Sequence, residues 1–149
     1  MLTIKMKTIL FSSICLLFFT QVHSQTLSAK ELVNLSDRYS KTDFLKSRSF
    51  TNTGSNVNSK TASENFAKNT GTAKQETIFI IGNTISYLTR SKAFITNLLA
   101  QLQHQYKQSV KDADTNFTYY QFSAGDGKNI SVNVAKSANN YHSMVIMQK

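Results

Sequence analysis

The stretch ETIFIIGNTISYLTRS, Glu76 to Ser91, limits the fold more than any other part of the chain. Thr77 to Ile81 is β-branched and aromatic with no charge in it, and Gly82-Asn83 stands where a two-residue hairpin turn belongs, ahead of a return strand over Thr84 to Arg90. Apolar residues occupy both parities of Thr77 to Ile81, as in a strand that lies centrally in a sheet or is covered on both sides. A lone hairpin cannot supply such cover. The residues that follow provide a layer for it. Ser91 is placed to cap a helix in KAFITNLLAQLQHQYKQSVKDA, where Ile95, Leu99, Leu102, Tyr106 and Val110 form an amphipathic stripe at spacings of four, three, four and four. Lys107 and Lys111 then fall in its last turns, where positive charge complements the helix dipole.

A second helix is signalled upstream. Ser28 with Glu31 makes a capping box and Leu27 with Leu32 a hydrophobic staple, so a helix is expected from here to about Tyr39, with an extra turn at Asp43 to Lys46. From Thr51 to Gln75 the chain is rich in Asn, Thr, Ser, Lys and Gly and almost free of aliphatic side chains. Burial there cannot offset the entropy of ordering, so 51–75 is expected to be a mobile polar loop. Phe66 is its one large apolar residue, and reads either as an anchor to the body or as a contact for a partner. The final third carries three strands, over Phe117 to Ala124, Lys128 to Lys136 and Tyr141 to Gln148. In the middle one Ile130, Val132 and Val134 alternate with Ser131, Asn133 and Ala135, giving one buried and one wet face.

Residues 1–24 have the layout of a secretory signal peptide: Lys5 and Lys7, an apolar run from Thr8 to Thr20, and the tail QVHS, which places cleavage before Gln25. The run is shorter than the roughly 20 apolar residues a membrane span needs, so no transmembrane segment is expected after cleavage. Cys15 is the only cysteine of the chain. Residues 25–149 therefore form no disulfide, thiol nucleophile or cysteine-ligated zinc site, and must be held by a hydrophobic core. Without Lys5 and Lys7, 15 Lys and Arg stand against 8 Asp and Glu, a net charge of +7 dispersed along the chain. Such charge keeps a domain soluble and attracts it weakly to anionic lipid or polysaccharide surfaces. Nothing signals specific nucleic-acid recognition, and the destination expected is the periplasm or the medium.

Together these elements predict an α+β fold: an antiparallel sheet of about six strands with two helices on one face. A short strand at Ser47 to Thr53 would make two αβββ halves, a repeat of pattern without repeated residues. With the VHSQ style of leader, this order over Leu27 to Lys149 resembles the small exported αβββ-repeat proteins of Gram-negative bacteria, and its topology is similar to that of the β-lactamase inhibitory proteins. The resemblance implies the layered fold. Those inhibitors rely on disulfides that residues 25–149 cannot form, and no residue role carries over.

The motif-like segments dissolve on inspection. Asp112, Asp114 and Asn116 match the first ligand positions of an EF-hand, but Phe117 replaces the required Gly and Ser123 the bidentate Glu. GDGK lacks the spacing and the following helix of a P-loop, whereas Asp126-Gly127 suits a hairpin turn. His104 and His142 have no G-x-S-x-G and no evident carboxylate partner in sequence, so no catalytic, cofactor or metal residue is assigned. The remaining lead is FTYYQF. Alternation puts Phe117 and Tyr119 on one face and Tyr120 and Phe122 on the other, so one pair packs under the helices while the other is free for a protein or sugar partner. The function expected is a non-enzymatic exported binding domain. The other classes considered are an inhibitor or immunity-type protein acting on a secreted enzyme, and a small enzyme with a site invisible in sequence.

Overall fold

The computed structural model describes residues 26–35, 37, 40–56, 62–135 and 140–148. The expected leader, the end of the first helix at Tyr39 and most of the SANN turn lie outside them. Three helices, α1 (Ala29–Val33), α2 (Lys41–Ser47) and α3 (Lys92–Gln105), accompany eight strands: β1 (Thr51–Asn56), β2 (Ser63–Lys68), β3 (Glu76–Ile81), β4 (Thr84–Thr89), β5 (Lys107–Ala113), β6 (Phe117–Ser123), β7 (Asn129–Ala135) and β8 (His142–Gln148). All eight strands belong to one antiparallel sheet in the order β1-β2-β3-β4-β8-β7-β6-β5. The α+β class and the antiparallel sheet are as expected; six strands and two helices become eight and three. Each half is a helical segment followed by a four-stranded meander, and the two last strands, β4 and β8, pair at the centre.

Local chemistry explains the element ends. The capping box forms: Ser28 Oγ accepts from Glu31 N, and Glu31 accepts from Ser28 N at 2.8 Å. Burial works against the ionised Glu31, but the Ser28 hydrogen bonds and the Arg48 guanidinium hold its carboxyl below the usual range. The helix stops at Val33, earlier than expected. Asn34 caps it, and Asn34, Ser36 and Asp37 are residue types that offer local backbone bonds in competition with the helix. Gly82, at φ +55°, supplies the first central residue of the β3–β4 turn, a conformation that a side chain would strain.

Two expectations fail. Residues 51–75 are not one loop, because β1 and β2 occupy much of that span and join the sheet through β3. Ladder hydrogen bonds and the complete burial of Phe66 order a sequence that has few aliphatic side chains to offer. Residues 57–61 lie outside the description. The second failure is the end of the long helix. Tyr106 is extended, at φ −126° and ψ 147°, and Lys107–Ala113 pairs with β6 instead of adding two helical turns. The buried stripe of α3 is Phe94, Ile95, Leu98 and Leu102, whereas Val110 is 51% exposed on an edge strand. Lys107 and Lys111 therefore guard a sheet edge and do not cap a helix.

The core lies between the helices and the inner face of the sheet. Phe66, Ile78, Ile80, Ile85, Tyr87, Met144, Ile146, Val132, Ile130, Tyr120 and Phe122 point inward to meet Leu32, Leu35, Leu45, Leu98 and Leu102. The buried Tyr87 hydroxyl donates to Glu76 Oε2 at 2.7 Å; burial, then the Glu76 charge and this bond, push its ionisation far above the usual tyrosine range. Leu102→Ala is expected to destabilise the fold by about 2–5 kcal/mol. Val110→Ala should stay within about 0.5 kcal/mol, as for an exposed site. Urea unfolding of the two variants checks this, and equal losses would restore the helix through Val110.

Candidate functional site: the outer face of the sheet

The three helices cover one face of the sheet, so the functional question concerns the other. Residues directly opposite on neighbouring strands share a face, so the registers assemble that surface. One row across the sheet reads Asn65, Phe79, Ser86, Val145, Asn133, Tyr119 and Asp112. A second reads Ser63, Ile81, Thr84, Met147, Ser131, Gln121 and Val110. Thr77, Leu88 and Ser143 begin a third, and Ala135 with Phe117 lie at its far end. Large apolar side chains thus alternate with Ser, Thr, Asn and Gln.

The FTYYQF alternation separates as its parity requires. Tyr120 and Phe122 are buried inward with rings 6.1 Å apart and nearly parallel, while Phe117 and Tyr119 lie half-buried on the outer face with rings 6.0 Å apart and tilted by 41°. Lys111 sits over the Tyr120 ring at 5.9 Å. Of the five residues named as candidate contacts, the structure therefore brings together only Phe117 and Tyr119. Tyr120, Phe122 and Phe66 serve the core, so Phe66 takes the anchoring role. Sequence reasoning did not assign Phe79, Ile81, Leu88, Val145 and Met147 to this surface. For Phe79 and Ile81 the signal was the double-sided apolar pattern of Thr77 to Ile81, whose outer members have no covering layer among the described residues, Ile81 being 47% exposed.

The charge pattern defines the surface further. Among the described residues, no outer-face position of β1 to β4 or β6 to β8 carries a charged side chain; Lys107 and Asp112 stand at the β5 edge alone. The exposed cations lie on the helices, the turns and that edge, among them Lys30, Lys46, Arg48, Lys74, Lys92 and Lys111. The face is polar through neutral groups, as in the Ser131 hydroxyl donating to Gln121 Oε1 at 3.1 Å.

The former motifs serve turns. Asp114 accepts from Asn116 N and Phe117 N, both at 2.7 Å, and its second oxygen accepts from Tyr119 Oη at 2.6 Å. DADTN therefore closes the β5–β6 hairpin and does not end a helix. In Ala124 to Lys128, Gly127 adopts φ +83° and Asp126 accepts from Lys128 N at 3.1 Å, a five-residue hairpin loop. His142 lines a groove of about 350 Å³ between α3 and β6 to β8, together with Lys92, Ile95, Leu99 and Val134. No carboxylate lines it among the described residues, so the His–carboxylate pair of a hydrolytic site is not assembled there.

Among the described residues no helix is long and apolar enough to cross a membrane. Comparison of the chain with family models, curated proteins and solved structures gives no match, so the surface itself carries the functional argument. The hydrogen bond to Asp114, with lesser contributions from desolvation and the Asp114 and Asp112 charges, raises the Tyr119 phenol above its usual value of 10.0. Since the bond and the charges favour the neutral phenol, Asp114→Asn should lower that ionisation toward the usual value. An NMR titration of the tyrosine ring carbons checks this, and an unmoved Tyr119 would overturn the Tyr119–Asp114 hydrogen bond.

Proposed function

We infer that the chain is an exported interaction domain that binds a protein partner through the outer face of its sheet. One observation carries the inference: a basic chain keeps charge off the strands of this face everywhere except its β5 edge. Charged residues are depleted at the cores of protein interfaces because burying them unpaired is costly, while aromatic residues and Met are enriched. Phe117, Tyr119, Met147 and Phe79 match that composition, with hydroxyl and amide side chains between them to satisfy a partner's polar groups.

The dimensions suit the same role. Eight strands at about 4.8 Å spacing and six to seven residues at about 3.3 Å give a face of roughly 700 Å². A standard interface takes about 800 Å² from each partner. A sugar ligand would call for freely exposed rings, whereas Phe117 and Tyr119 are half-buried within a broad mixed surface. Export follows from the leader in residues 1–24, and the cations on the helices and edge lend the weak attraction to anionic surfaces that would hold such a domain near an envelope.

The test places a charge at the centre of the face. Val145→Lys should reduce capture of the partner from the native exported fraction at least tenfold while unfolding remains cooperative, and Tyr119→Ala should weaken it less. Lys46→Gln, on the helix side, should leave capture unchanged. If Val145→Lys and the parent chain retain the same proteins equally, the outer face is not the binding surface.

A further inference from the structure

On the helix side of the sheet, the groove between α3 and β6 to β8 combines apolar walls with unpaired donors. Leu99 belongs to the stripe expected to be buried, yet Leu98 takes that place, and Leu99 and Val134 are only partly buried at the margin of the core. With Ile95 they give the groove, of about 350 Å³, its apolar wall. Thr118 near the start of β6, Val134 near the end of β7 and His142 at the start of β8 lie at one end of the sheet, where α3 begins with Lys92.

The polar groups there favour one sign of ligand. Lys92, the first residue of α3, puts positive charge where the helix dipole disfavours it, and the first turn holds no acid. Among the described residues Lys92 enters no ion pair, and no carboxylate lines the groove. The Thr96 hydroxyl donates to the Lys92 carbonyl at 3.2 Å, so the donors facing a ligand are the Lys92 ammonium, a ring N–H of His142 and the Thr118 hydroxyl. Imidazole keeps at least one N–H in either protonation state. An anion at this end is thus attracted by Lys92 and by the start of the helix, while a body attached to it leaves water against Ile95, Leu99 and Val134.

We propose that this groove binds a free aliphatic carboxylate of medium chain length, its head on Lys92 and His142 and its chain on the apolar wall. At about 30 Å³ for each water-sized group, the volume holds roughly ten non-hydrogen atoms. Octanoate has that size, whereas a diacyl lipid exceeds it. The site lies on the side of the sheet opposite the proposed protein-binding face, so either reading can fail without the other.

The protein, labelled on its Ile, Leu and Val methyls, is titrated by NMR with octanoate, hexanoate, octan-1-ol and octyltrimethylammonium. Octanoate should shift Ile95, Leu99 and Val134 saturably, with a Kd on the order of 1 mM or below for so small a ligand. Hexanoate, two methylenes shorter, should bind about tenfold more weakly. Octan-1-ol should lose about two- to fivefold, as for one exposed charge pair, and the octyl cation should bind most weakly. Lys92→Gln should bring octanoate down to the alcohol, and Val134→Phe should block the groove while Leu88 and Val145 on the outer face keep their positions. Equal binding of the carboxylate, the alcohol and the cation to the parent chain overturns the anion site. Absent shifts at the groove, or equal shifts at Leu88 and Val145, overturn the groove itself. Phosphatidylglycerol vesicles that shift the same methyls more strongly than octanoate overturn the free carboxylate in favour of a lipid surface.

Discussion

The pairing of β4 with β8 is the constraint on which the rest of the molecule depends. Six ladder pairs from Thr84↔Met147 to Thr89↔His142 join two meanders that are otherwise separate four-stranded sheets. β4 and β8 are separated in sequence by α3 and three strands, so this seam is the least local pairing of the sheet. Its loop-closure entropy must be recovered from packing beneath it. Ile85 and Tyr87 on one side, and Met144 and Ile146 on the other, are all buried there against α3, which packs on β4, β8 and β5. One helix thus covers the join, and the outer face becomes continuous across both halves.

The seam also explains which parts of the fold were legible in sequence. The capping box at Ser28, the Gly82-Asn83 turn and the alternation of FTYYQF are local devices whose chemistry lies within a few residues. β5 was not legible because every one of its residues is exposed, and its strand state comes from pairing with β6. The same pairing overrode a helical period that ran numerically through Val110. β2 was hidden because one phenylalanine and a ladder do what several aliphatics do elsewhere. The outward aromatic pair could not be chosen from FTYYQF alone, since both parities are equally aromatic. β7 decides it: Ile130 and Val132 lie opposite Phe122 and Tyr120, while Asn133 lies opposite Tyr119.

The edges of the sheet bear on the mode of binding. β5 carries Lys107, Lys111 and Asp112 and a bulge between Gln108 and Val110, and β1 is bulged between Asn52 and Gly54. Charges and bulges of this kind discourage the addition of a further strand. With both edges blunted and the outer face left neutral, a partner is directed to side chains and not to backbone. Specificity would then come from the alternation of Phe79, Val145 and Tyr119 with Ser86 and Asn133, a pattern that depends on the register of five strands at once.

The N-terminal segment links the two halves on the inner side. Thr26 bonds to Glu76 on β3, Ala29 N donates to Gln101 of α3 at 2.9 Å, and the Val33 carbonyl accepts from Gln148 of β8. Further on, Asp37 pairs with Lys128 in the β6–β7 loop at 2.9 Å, and this contact raises the Lys128 ionisation. That strap runs from the first meander, across the seam, to the second. Most of its links are single hydrogen bonds worth about 1 kcal/mol each, and the exposed pair at Lys128 is screened by solvent. The Thr26–Glu76 contact differs because Glu76 is buried, so the strap is most sensitive to change at its first described residues. Fastening there holds α1 over the seam, and the seam in turn keeps the rows of the outer face in register.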